Sequence, residues 1–135
     1  YDTFEHTADL GLRVVAADLD TLFAEAAQGL TSMIVANLDQ VRLVREMAFH
    51  VPGNSRDDLL FDWLNEVLYA FEAEHLLLAR FEVHVGESGL DATAQGEPLD
   101  LERHQLEHEV KAITYHGLKV EPSDGGWLAE VIVDI

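Results

Sequence analysis

The chain contains no cysteine. That excludes a disulfide framework, a thiolate metal site and a cysteine nucleophile. Cations are scarce as well: 8 Lys plus Arg stand against 26 Asp plus Glu, a formal charge of −18 that protonating all 7 histidines would not reverse. Phosphate backbones and anionic membranes are bound largely through Lys and Arg, so neither a free-standing nucleic-acid module nor a membrane binder is expected. A basic protein partner or a metal cation is attracted instead. Adaptation to salt would produce the same acid excess with no partner at all. Long apolar runs are also missing. Residues 76–79 and 131–133 are typical, far short of the ~20 residues that cross a bilayer. The opening Tyr-Asp-Thr-Phe-Glu-His lacks the basic and apolar pattern of a signal peptide, so a soluble, cytoplasmic protein is expected.

Only 3 prolines occur, and no repeat or low-complexity tract interrupts the chain, so residues 1–135 read as one domain. With 48% hydrophobic residues it can build an ordinary core. Residues 10–16, rich in branched side chains, predict a strand. Asp20 is placed as the cap of a helix whose Leu22, Phe23, Ala26, Ala27, Leu30, Met33 and Ile34 recur at i, i+3, i+4. Val41, Leu43, Met47, Phe49 and Val51 alternate as an extended segment, slipping near residues 44–46 as a bulge would, and stop at Pro52-Gly53. Ser55 and Asp58 open a second helix in the manner of a capping box. Its apolar face runs from Leu59 through Trp63 to Phe71, with Asp57 and Asp58 at the positive end of the dipole. Residues 78–85, 90–95, 110–121 and 127–134 read as strands, residues 98–104 as a short helical turn, and Asp124-Gly125-Gly126 as a hairpin turn. The expected fold is α+β, with two main helices packed on a mostly antiparallel β-sheet.

Candidate chemistry lies at the two ends. His6-Thr7-Ala8-Asp9 sets an imidazole and a carboxylate three residues apart, just before a strand. Asp134 and Ile135 offer a side-chain carboxylate, main-chain carbonyls and, where the chain stops there, an α-carboxylate. Such oxygen donors suit hard cations like Ca²⁺ or Mg²⁺. Nothing in the spacing makes the ends meet; taken alone, Asp9 reads as a strand-entry residue and Asp134 as a solvated one. Lys111 is one of only two lysines, and alternation puts it on one face with Glu109 and Ile113. It suits a carboxylate beside a cation, a phosphate-bearing partner, or an ordinary surface pair worth about 0–1 kcal/mol. His50, His75, His84, His104, His108 and His116 are scattered; His104-x-x-x-His108 has i, i+4 spacing but reads as well as a polar loop. No phosphate loop, dinucleotide-binding turn or nucleophile elbow occurs, so nothing argues for an independent enzyme.

Taken in order, these segments resemble the archease family. His6-Thr7-Ala8-Asp9-Leu10-Gly11-Leu12 is similar to its N-terminal signature, and Trp63-Leu64-Asn65-Glu66-Val67-Leu68-Tyr69 to its central helix. Gly96-Glu97, Glu109-Val110-Lys111-Ala112-Ile113-Thr114-Tyr115-His116 and the stretch from Gly126-Trp127 to Asp134-Ile135 are similar to its C-terminal half. The likeness runs over nearly the whole chain. It implies an accessory protein rather than an enzyme, one that promotes guanylylation and multiple turnover of the GTP-dependent RNA-splicing ligase that joins tRNA halves. It also implies a divalent cation (calcium, with magnesium or manganese as alternatives) on Asp9, Asp134 and Ile135, with Lys111 and His6 as residues for partner activation. The ligase is then the expected partner, without direct nucleic-acid contact. Rival readings are a general modulator of nucleic-acid enzymes and a stand-alone metal-dependent phosphoester hydrolase using Asp9, Asp134 and a histidine such as His6.

Overall fold

The structure, a computed structural model, describes residues 1–6 and 9–135, without the side chains at positions 4–6. In chain order the elements are β1 (Asp2–His6), β2 (Asp9–Ala16), α1 (Leu19–Ile34), a 3-10 turn (Leu38–Gln40), β3 (Arg45–Pro52), α2 (Arg56–Glu74), β4 (Leu76–Val85), β5 (Gly89–Pro98), β6 (Ala112–Ser123) and β7 (Gly126–Asp134). The strands form two antiparallel sheets, ordered β1-β2-β7-β6 and β3-β5-β4. Helix α1 packs on β2 and β4, and α2 on β6, β4 and β3, so the helices join both sheets into one core. The α+β expectation holds, with the β-structure divided between two sheets. No described helix is long and apolar enough to cross a membrane.

The helices follow their apolar stripes. In α1 Leu22, Phe23, Ala26, Ala27 and Leu30 are fully buried, and in α2 so are Leu60, Trp63 and Leu64. Trp63 joins the two: its Nε1–H donates to the Phe23 carbonyl at 3.0 Å, and its ring stands edge-on to Phe49 and Phe81. The Ser55 hydroxyl accepts from the Asp58 N–H, as the cap pattern predicts. For α1 the cap is Asp18 rather than Asp20. Its backbone is extended, and it accepts from the Thr21 N–H at 2.8 Å, which holds its carboxyl below the usual range. Asp20 sits in the first turn and accepts from the Val85 N–H, tying α1 to the end of β4.

Three further differences concern strands. The N-terminal residues 2–6 form an edge strand where none was expected. Residues 41–44 are not strand, because Arg42 gives its N–H to the Glu97 side chain. Register shifts lie in β6 between Thr114 and Lys119 and, as a bulge, in β4 between Leu78 and Arg80, not near residues 44–46. At the β4 bulge the strand closes on Gly96 of β5, and a Cβ there would overlap the Leu77 carbonyl oxygen. The β6–β7 hairpin matches its sequence signal: Ser123 pairs with Gly126, and Asp124 and Gly125 both have positive φ. This is the conformation a two-residue I′ turn requires.

Candidate functional site

Register places His6 opposite Asp9, Asp9 opposite Asp134, and Asp134 opposite Ala112, one row across all four strands of the larger sheet. The next pair, Leu10 and Val133, is buried against the helices. Alternation therefore sends Asp9 and Asp134 to the opposite face, as directly opposed neighbours with Cβ atoms about 5 Å apart. Both are half-buried, and Oδ1 of Asp9 has lost contact with solvent. Two carboxylates so placed repel, and a cation between them would turn repulsion into coordination. Ile135 follows Asp134 directly, which sets its main-chain oxygen at the same end. Among the described residues no three His, Asp or Glu side chains converge on one point. A cation here would therefore take its further donors from main-chain oxygen or water, a set that fits a hard ion. Thr7 and Ala8 of the N-terminal motif lie outside the described residues, as does the His6 side chain.

Lys111 reaches this end through its backbone, donating its N–H to the Asp134 carbonyl at 2.8 Å. Its side chain belongs elsewhere. It shares the parity of buried Ile113, on the helix side, and lines a cleft of about 640 Å³ with Pro52, Asp62, Glu66, Tyr69 and Glu72. The sheet thus separates it from the two carboxylates. Among the described residues Lys111 forms no ion pair, whereas Lys119 bridges Glu130 at 3.1 Å and Glu121 at 3.4 Å. Those two carboxylates hold the Lys119 ammonium above its usual range.

The segment that delivers Lys111 to Asp134 is anchored by a buried polar cluster that sequence reading missed. Glu97 in β5, only 5% exposed, accepts from the Arg42 N–H at 2.6 Å, from the Arg103 guanidinium and from His104 Nε2 at 3.1 Å. The buried His104 ring accepts the Asp100 N–H at Nδ1, which leaves Nε2 as the protonated nitrogen. Asn37 bonds the Arg103 carbonyl and the Gln105 N–H, and the N–H groups of Glu107 and His108 cap the last carbonyls of α1. His104 and His108 are therefore held by different partners, since the chain between them is not helical. The expected helical turn over 98–104 survives as a single turn at residues 100–104.

Burial works to raise the Glu97 carboxyl, but the Arg42 N–H, His104 and Arg103 outweigh it and hold the group below its usual range. A depressed carboxylate contributes stability above its unfolded pKa of about 4.3, and loses it as pH falls through the folded value. Glu97→Gln is accordingly expected to cost about 3 kcal/mol at pH 7. In denaturant titrations the gap to the wild type should narrow below about pH 4. An equal gap at pH 3 would mean that shape, not charge, matters there.

The sequence matches the model of the archease protein family (MTH1598/TM1083) over residues 1–135. It is 40% identical to protein archease of Methanopyrus kandleri over 139 residues, covering 100% of this chain and 99% of that protein. Protein archease of Pyrococcus abyssi is 39% identical over 140 residues, with 100% and 98% covered. The solution structure of Methanobacterium thermoautotrophicum protein 1598 superposes with a TM-score of 0.88 at 32% identity, covering 99% of this chain and 97% of that one. Agreement in sequence and fold from end to end has one meaning: the chain belongs to the archease family.

Proposed function

We propose that this protein activates a GTP-dependent RNA-splicing ligase, promoting its guanylylation and repeated turnover, with a divalent cation held by Asp9, Asp134 and Ile135. The observation that supports this most directly is the cross-strand pairing of Asp9 with Asp134, which joins the two motifs of the family resemblance at one sheet end. Calcium is the first choice on the family resemblance; the all-oxygen donor set fits a hard cation and would serve magnesium as well. When bound, such a cation would be held by Asp9, Asp134 and Ile135 and would supply positive charge at this end of the sheet.

The chain's own residues fill the remaining roles. Asp9 and Asp134 orient the ion, the N–H of Lys111 fixes the Asp134 main chain, and the Lys111 side chain faces the partner from the α2 cleft. The charge of −18 favours approach to a basic, RNA-binding enzyme without competition for its RNA. The test is a ligation assay with limiting ligase, GTP and cleaved RNA. Multiple turnovers are expected only when this protein is added. Equal turnover without it, or phosphoester hydrolysis by the chain alone, would reject the reading.

A further inference from the structure

On the smaller sheet, register brings together three residues that are remote in sequence. His50 of β3 lies opposite Asp91 of β5, and Asp91 lies opposite His84 of β4. Their neighbours Phe49, Val51, Leu90, Ala92 and Val83 are buried, so all three point outward in one row. We propose that this row is a second metal site, built from histidine and carboxylate donors, for a borderline transition-metal ion of the Zn²⁺ or Ni²⁺ kind. Strands spaced about 4.8 Å apart set the two histidine Cα atoms about 10 Å apart, with the carboxylate between them. Each imidazole can then lean inward over Asp91.

Half of that geometry is already present. His50 Nδ1 lies 2.8 Å from Asp91 Oδ1. His84 Nδ1 lies 3.6 Å from Oδ2 of Asp20, a carboxylate fixed by the Val85 N–H. The described side chains do not converge on one point, since His84 is turned toward Asp20. That ring is 83% exposed, so swinging it over Asp91 gives up only a solvent-screened pair. Two imidazole nitrogens with one or two carboxylates form the donor set of zinc and nickel rather than of calcium. An ion there would brace all three strands of the smaller sheet. The site shares no residue with the Asp9–Asp134 row and does not depend on the proposed function.

The experiment is a Zn²⁺ titration, repeated with Ni²⁺, of the full chain in saturating Ca²⁺, read by calorimetry and, for Zn²⁺, by imidazole nitrogen NMR. One equivalent should bind with the rings of His50 and His84 shifting together, and the unfolding midpoint should rise. His50→Gln and His84→Gln are each expected to weaken binding at least tenfold and to abolish that rise, while His116→Gln, also exposed, leaves both intact. Because the row is on the surface, the variants should fold as the parent does, which circular dichroism verifies. Undiminished affinity in the His50 and His84 variants, or loss of binding in Asp9→Ala instead, would overturn the proposal.

Discussion

Replacing Asp9 or Asp134 by alanine is expected to abolish ligase stimulation and to weaken Ca²⁺ binding about 100-fold or more. The magnitude follows from comparison: losing even an outer partner of a metal ligand typically costs about 10–100-fold, and these residues are proposed as direct ligands. Stability provides an independent readout. Like charges directly opposed across a strand pair are destabilising by about 0.2–1 kcal/mol, and Asp9 faces Asp134 in that way. In chelator, Asp134→Asn should therefore unfold at the same temperature as the wild type or slightly above it. In Ca²⁺ the order should reverse, because only the wild type gains binding energy. A variant that stimulates fully, or a pair of melting curves that do not cross, would remove the cation from this end of the sheet.

Gly96→Ala is expected to be the most damaging single methyl in the protein. The added Cβ would overlap the Leu77 carbonyl oxygen and come within 2.7 Å of its carbon and 2.9 Å of Leu78 Cα. All three are backbone atoms of the neighbouring strand, so no side chain can rotate away. Strand β5 is the centre of its sheet, and Gly96 also accepts the Val44 N–H and adjoins Glu97. Overpacking commonly costs about 1–3 kcal/mol, and a clash with backbone belongs at or beyond the upper end. The unfolding midpoint should fall by about 10 °C or more. The displaced end of β5 should also loosen the Glu97 cluster, visible as faster amide exchange of Gln105, Glu107 and His108. An unchanged midpoint would show that the two strands can part there at little cost.

The helices, the I′ hairpin and the α+β class were legible in the sequence because each is coded by near neighbours. Apolar residues recur every three or four positions in α1 and α2, and Asp124-Gly125 tolerates two positive φ angles. What could not be read depends on partners far along the chain. The edge strand at residues 2–6 alternates weakly, and only β2 makes it a strand. Asp18 and Asp20 are equally suited to cap α1, and the choice is made by Val85, which engages Asp20. His104 looked like half of an i, i+4 pair, yet its ring is satisfied by Glu97 and Asp100. The row of His50, Asp91 and His84 has no local signature, because cross-strand neighbours leave no period in sequence. At the larger sheet's end, the residue types at positions 9, 111, 134 and 135 were readable, whereas the meeting of Asp9 with Asp134 was implied by the family resemblance and not by spacing. The structure also puts the Lys111 side chain on the opposite face from the carboxylates, which alternation along one strand alone could not reveal.

The place of β7 in the larger sheet has a consequence for folding. It lies between β2 and β6, its two pairings of very different range. The β6–β7 hairpin closes through a two-residue turn, an event of about 1–10 μs. Pairing with β2 instead closes a loop of nearly the entire chain, and such contacts form late because loop entropy is lost before they reward it. The hairpin that carries Asp134 is therefore expected to form before the pairing with Asp9. Opening that contact splits the sheet through its middle rather than fraying an edge. Amides of β2 and β7 are thus expected to exchange with solvent only through global unfolding, which would leave no partly folded state that still carries both carboxylates in place.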